Sequence, residues 1–143
     1  MDTPSWLPYE KRYHYPGMAP LDRNIWERFV AANPDAFDEC WYNVAIGEGT
    51  PMDTIVSPDT GGDVNRLYQR KIDVLARRGD AFYVIEIGPR ASTAKIGQVR
   101  GYARILARDW GKGRKLYMML LTDAELPEMR LLAEEEGVEL QIV

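Results

Sequence analysis

The sequence predicts an α/β domain, a mixed sheet of about five strands flanked by helices in the order α-β-β-β-α-β-α-β. Three observations carry this. The dipeptide Gly79-Asp80 sits between two apolar-rich segments as a tight hairpin turn. The stretch from Ser92 to Trp110 has apolar residues at helical spacing. Residues 115–121, KLYMMLL, form a continuous apolar run of the kind buried on both faces of a sheet. A meander followed by crossover helices implies a mixed sheet with helices on both faces. With 143 residues, 45% of them hydrophobic, the chain is long enough to bury a core without staples.

Each element has its own signal. Residues 1–20 carry Pro4, Pro8, Pro16 and Pro20 among Trp6, Tyr9, Tyr13 and Tyr15. That spacing forbids a helix and predicts an extended arm whose rings dock on the domain of residues 21–143 or on a neighbour. Asp22 reads as the N-cap of a helix with apolar face Ile25, Trp26, Phe29 and Val30, ended by Asn33-Pro34. Residues 40–46 read as a strand, 47–63 as a long Pro- and Gly-containing loop, and 70–77 and 81–87 as the two hairpin strands. Ser92 caps the long helix, whose core face is Ile96, Val99, Ala103, Leu106 and Trp110. Gly101 within it suggests close packing. Thr122 or Asp123 opens a further helix with Pro127 in its first turn, Gly137 ends it, and residues 138–143 form a last strand.

Composition excludes several classes. One cysteine, Cys40, and one histidine, His14, rule out a disulfide scaffold and a Cys/His zinc site and count against a Cys–His nucleophile. Any metal would be held by carboxylates, which points to magnesium, manganese or calcium. No apolar run approaches the roughly 20 residues of a membrane span. The opening MDTPSWLPYEKR lacks the pattern of a secretory signal, and the lone thiol fits a reducing compartment. The net charge of −4 hides a segregation: residues 66–115 hold 13 Lys and Arg against 4 Asp and Glu. A basic block in an acidic chain can be a polyanion footprint or a solvated face.

The hairpin turn fixes a register. With Gly79 and Asp80 as the loop, Arg78 pairs with Ala81 and Asp73 lies opposite Glu86. Ile72, Val74 and Ala76 then share an apolar face with Ile87, Ile85 and Tyr83. Asp73 and Glu86 have Cβ atoms roughly 5 Å apart, and two like charges so placed call for a divalent cation or a lysine.

Asp73, the hairpin and then Glu86-Ile87-Gly88 resemble the motifs of the PD-(D/E)XK nuclease superfamily. Gln98 to Tyr102 (QVRGY) is similar to the QxxxY motif of its RecB and lambda-exonuclease-like branch. The resemblance covers about two thirds of the chain and implies a three-layer, restriction-endonuclease-like core. It implies Mg²⁺ or Mn²⁺ held by Asp73, Glu86 and the carbonyl of Ile87, with Gln98 and Tyr102 supporting the ligands or the DNA backbone. The family's third motif ends in a lysine where this chain has Gly88. That lysine positions the attacking water and stabilises negative charge, and two residues could replace it. Lys71 lies across the hairpin from Gly88. Lys95 shares a helical stripe with Gln98 and Tyr102, and the family tolerates migration of the lysine onto that helix.

The family's first-helix acid is expected at Glu27, with Glu48 and Asp53 as lesser candidates. Arg100, Arg104 and Arg108 make a ridge at i, i+4, i+8 that, with Arg90, could contact phosphates. Arg66, Arg70, Arg77, Arg78, Lys112, Arg114 and Lys115 could add to it. Two functions follow. One is a metal-dependent deoxyribonuclease-type domain that acts on or binds DNA, located in the cytoplasm. The other is an inactive nuclease fold serving as a structural component of a larger assembly such as a phage virion, with the arm holding a protein partner or a second copy.

Overall fold

The computed structural model describes residues 3–48, 69–111 and 113–143. Among these, six strands form one sheet whose spatial order is also the chain order: β1 (Leu7–Pro8), β2 (Glu39–Ile46), β3 (Arg70–Arg78), β4 (Ala81–Ile87), β5 (Lys115–Thr122) and β6 (Val138–Ile142). Three helices of the described residues flank it: α1 (Pro20–Ala32), α2 (Thr93–Trp110) and α3 (Met129–Glu135). Neighbours from β1 to β4 are antiparallel, and β4–β5 and β5–β6 are parallel. The expected mixed α/β architecture is therefore present, with one strand more than expected because Leu7 and Pro8 of the arm pair with Cys40 and Glu39. Most of the long loop, with Asp53, and the basic residues Arg66 and Lys112 lie outside the described residues.

Several local expectations are corrected. Helix α1 starts at Pro20 after Ala19, so Asp22 lies in its first turn and is not its cap. Proline suits this position because its missing N–H would have no partner there. Helix α3 starts only at Met129, because Pro127 comes before the helix rather than inside its first turn. Strand β5 is buried only from Met119 to Thr122, while Lys115 and Tyr117 are exposed. Gly101 faces open space rather than a close neighbour. Ser92 does cap α2, its hydroxyl accepting from the Lys95 N–H at 3.2 Å.

The two faces of the sheet bury separate cores. On one, Ile25, Trp26 and Phe29 of α1 pack with Tyr42, Val74, Ile85 and Leu121. On the other, Ile96, Val99 and Leu106 of α2 and Ala133 of α3 pack with Val44, Leu75, Val84 and Leu120. Strands β2 and β3 exchange faces part-way along. Asn43 has a left-handed backbone, φ 55°, and no Asn43–Asp73 pair forms between the Tyr42–Val74 and Val44–Ile72 pairs. Before the interruption Tyr42 and Val74 face α1; after it Val44, Ile46 and Ile72 join the core under α2. Ile72 therefore leaves the face that the hairpin register assigns to it, while the register itself holds from Arg78–Ala81 to Val74–Ile85.

The arm packs within the chain. Trp6 lies 6.0 Å from both Trp41 and Phe82, Tyr9 donates to the Asn33 carbonyl at 2.6 Å, and Tyr15 is buried 5.4 Å from Tyr42. Tyr13 departs from the expectation of docked rings, with 96% of its surface exposed. Gly17 locks the arm against the interruption in β2. Its φ is +70°, and a Cβ there would meet the Asn43 side chain at 2.5 Å. Gly17→Ala should destabilise the protein by roughly 1–3 kcal/mol in a urea melt, from left-handed strain and the clash together. An unchanged midpoint would mean that the arm is not held there.

Candidate active site

Beyond the Val74–Ile85 pair, side chains take over from the ladder. The Asp73 N–H donates to Glu86 Oε1 at 3.4 Å, and the Ile87 N–H donates to Asp73 Oδ2 at 2.9 Å. Each carboxylate thus accepts from the backbone of the opposite strand, and the two groups are neighbours, as the register predicts. Glu86 is only 1% exposed. Gln98, one and a half turns into α2, donates from Nε2 to Glu86 Oε2 at 3.4 Å and to the Tyr102 hydroxyl at 3.1 Å. The i, i+4 spacing of Gln98 and Tyr102 aligns them on the flank of α2 that faces β4.

Burial pushes the Glu86 carboxyl up to about 9, and the charge of Asp73 adds to the rise. Lys95 acts in the opposite sense. Its position follows from Gly88. A Cβ on Gly88 would lie 2.9 Å from Lys95 Cε and 3.3 Å from its Nζ, so the lysine head occupies the space a side chain at position 88 would fill. Of the two lysines that could replace the missing one, Lys95 is the one brought to the carboxylates. Lys71 is exposed on β3 and pairs with Ala45 of β2.

The first helix supplies a different acid from the one expected. Glu27 is engaged by Arg23 at 3.1 Å on the surface of α1. Asp22 instead is raised by burial and by the charge of Asp73, and lowered by Lys95, which puts its carboxyl in the field of the pair. A signal for this was present in the sequence: Asp22 precedes Ile25, Trp26 and Phe29 on the stripe that meets the sheet, whereas Glu27 lies off it.

The donors that meet here are hard oxygens: the Asp73 and Glu86 carboxylates, with the Ile87 carbonyl following. Among the described residues no three Asp, Glu, His or Cys side chains converge closely enough to hold a metal alone. The set fits magnesium or manganese, which keep several water or phosphate ligands, better than it fits zinc. Cys40 is buried with its thiol pushed up to about 12, which suits packing and not nucleophilic attack.

The arginine ridge divides. Arg100 pairs with Glu136, the residue that caps the end of α3. Arg104 is exposed, and Arg108 lines a cleft beside Arg70. Arg90 is exposed in a left-handed turn, φ 55°, held where its N–H donates to Asp123 at 2.9 Å. Arg77 is bound to Asp38 and Glu39, and Arg114 lies over Trp110. Glu48 is exposed at the end of β2.

No protein-family model matches the chain, and no curated protein matches it. Solved structures do. The crystal structure of a repair endonuclease from Pyrococcus abyssi is similar over 93% of this chain and 49% of that one, with 16% identity and a TM-score of 0.51. The structure of an EndoMS–dsDNA2 complex is similar over 93% and 48%, with 18% identity and the same TM-score. The fold is that of the restriction-endonuclease-like nucleases. This chain spans about half the length of each of those two. Within this fold Asp73 lies in the first half of β3 and Glu86 is next to last in β4, against the N-terminal half of α2.

The raised Glu86 pKa has a definite sign. Between its ordinary value of 4.5 and about 9, the folded metal-free protein keeps a proton that the unfolded chain has lost. Stability without metal should therefore fall as pH rises through that window. Manganese needs the ionised carboxylate, so the thermal stabilisation it gives should grow with pH. Melting curves at the two ends of the window, with chelator and with manganese, should show both trends, and Glu86→Gln should remove both. Equal stabilisation by manganese in Glu86→Gln would place the ion elsewhere.

Proposed function

We propose that this chain is a metal-dependent phosphodiesterase-type domain that acts on DNA. The observation carrying the proposal is the Lys95 head beside Gly88, next to the buried Asp73–Glu86 pair. Two carboxylates and an ammonium brought together where β3, β4 and α2 meet are the minimum set for cutting a phosphodiester. The nuclease fold supports the reading, and one of the similar structures is described as an endonuclease complex with double-stranded DNA.

Glu86, Asp73 and the Ile87 carbonyl would hold magnesium or manganese. When bound, the ion would lower the pKa of a coordinated water and neutralise charge on the phosphate. Lys95 reaches the same space from α2 and can hold the attacking water or the developing charge on phosphate oxygens. Gln98 fixes one Glu86 oxygen and is itself braced by Tyr102. The Tyr102 phenol, raised mainly by burial, stays protonated and can donate. Asp22, in the first turn of α1, adds a third carboxyl group within the electrostatic reach of the pair and of Lys95.

The alternative, an inactive component of an assembly, rests on Gly88 and the acidic flanks. The aromatic arm no longer favours it, since Trp6, Tyr9 and Tyr15 pack within the chain.

Purified protein should nick or degrade plasmid and linear DNA with manganese and stop with chelator. Glu86→Gln should abolish cleavage, and Lys95→Ala should slow it roughly a hundredfold or more. Lys71→Ala should leave the rate close to wild type. Full activity in Lys95→Ala with loss in Lys71→Ala would reverse the assignment, and no cleavage by wild type would leave the alternative.

A further inference from the structure

A cleft of about 360 Å³ opens at the end of β2, between β3 and α2. Its walls carry Arg70 from β3, Arg108 and Asp109 from the last turn of α2, and Gly47 and Glu48, with Ile105 also lining it. The Gly47 backbone is pinned on both sides. Its N–H donates to Asp109 Oδ2 at 2.9 Å, and its carbonyl accepts from Gln69 Nε2 at 2.5 Å. The face exchange at Asn43 and Asp73 produces this cleft. It carries Ile72 to the α2 side, and Arg70, two residues away on the same strand face, goes with it.

The cleft and the carboxylate pair share strand β3 and helix α2. Arg70 is three residues from Asp73 along β3, about 10 Å in an extended strand. Its charge acts on the Tyr102 phenol, which is bonded through Gln98 to Glu86. A strand passing the pair would meet Arg70 next. The volume suits one small organic group of nucleotide size. The chemistry is double: two guanidiniums suited to phosphate and two carboxylates suited to amino groups. A base enters such a space only when it is out of its stack.

We propose that this cleft holds one unpaired nucleotide of the strand being cut, with Arg70 and Arg108 on its phosphates and Glu48 and Asp109 on a base amino group. This rests on the nuclease reading and adds to it a substrate class: a strand with an unpaired cytosine, adenine or guanine beside the scissile bond. Thymine is disfavoured because it has no exocyclic amino group.

The test measures fluorescence anisotropy of short labelled dC and dT oligomers on the metal-free Glu86→Gln protein, so that no cleavage is needed. The dC oligomer should bind more tightly than dT. Arg70→Ala and Arg108→Ala should each weaken dC binding about tenfold, the scale of one charge-assisted contact. Each should also reduce the slope of log K against log salt by about one. Glu48→Gln should narrow the preference for dC over dT. Arg28→Ala removes the same charge from α1, on the other side of the sheet, and should leave binding alone. Equal binding of dC and dT, no binding, or an equal loss in Arg28→Ala overturns the proposal. Wild-type cleavage separates the two readings. Cleavage with unaffected arginine variants sinks the cleft alone, and arginine-dependent dC binding without any cleavage sinks the nuclease reading alone.

Discussion

Glu86 is a carboxylic acid with almost no contact with water, and the structure around it is arranged to make that tolerable. Burying an unpaired carboxylate is costly, and a second carboxylate at contact distance makes ionisation costlier still. Two backbone N–H groups, the Gln98 amide and the Lys95 ammonium are spent on this pair. None of these groups is required to close the sheet. The pair sits where side-chain acceptors replace the ladder, and Glu86 is buried, which sets it apart from an exposed pair on the rim of the sheet.

The same region explains how much of the molecule the sequence could reveal. The Gly79-Asp80 turn set the β3–β4 register, because a two-residue loop leaves no slack and a one-residue slip would send every side chain to the wrong face. That register was enough to put Asp73 beside Glu86. Helical spacing was enough to put Lys95, Gln98 and Tyr102 on one flank of α2. The face exchange was not legible. It depends on Asn43 taking a left-handed backbone, packed against Gly17 of the arm, a contact between residues 26 positions apart that period-two reasoning does not contain. The misplaced Ile72 and the unexpected position of Arg70 both follow from it.

The errors at helix starts have a common cause. Asp22 and Asp123 are good capping residues by type, yet α1 begins at Pro20 and α3 only at Met129. In each case a proline, which fixes its own backbone angle, marks the start more strongly than a nearby aspartate. Asp22 does not cap α1 and instead feels the charges of Asp73 and Lys95, and its candidacy was hidden because residue type suggested a structural role. Fold and chemistry also separate here. The restriction-endonuclease-like sheet accounts for where the carboxylates lie, but it does not supply the lysine, which this chain brings in from α2.

The central claim is that Lys95 does from the helix what a lysine at position 88 would do from the strand. The most direct test is rescue. Manganese-dependent DNA cleavage should fall in Lys95→Ala and return toward the wild-type rate when Gly88→Lys is added to it, because the second lysine refills the same space beside Glu86. If Lys95→Ala cleaves as fast as wild type, or if the double variant stays as slow as the single one in a folded protein, the claim is contradicted.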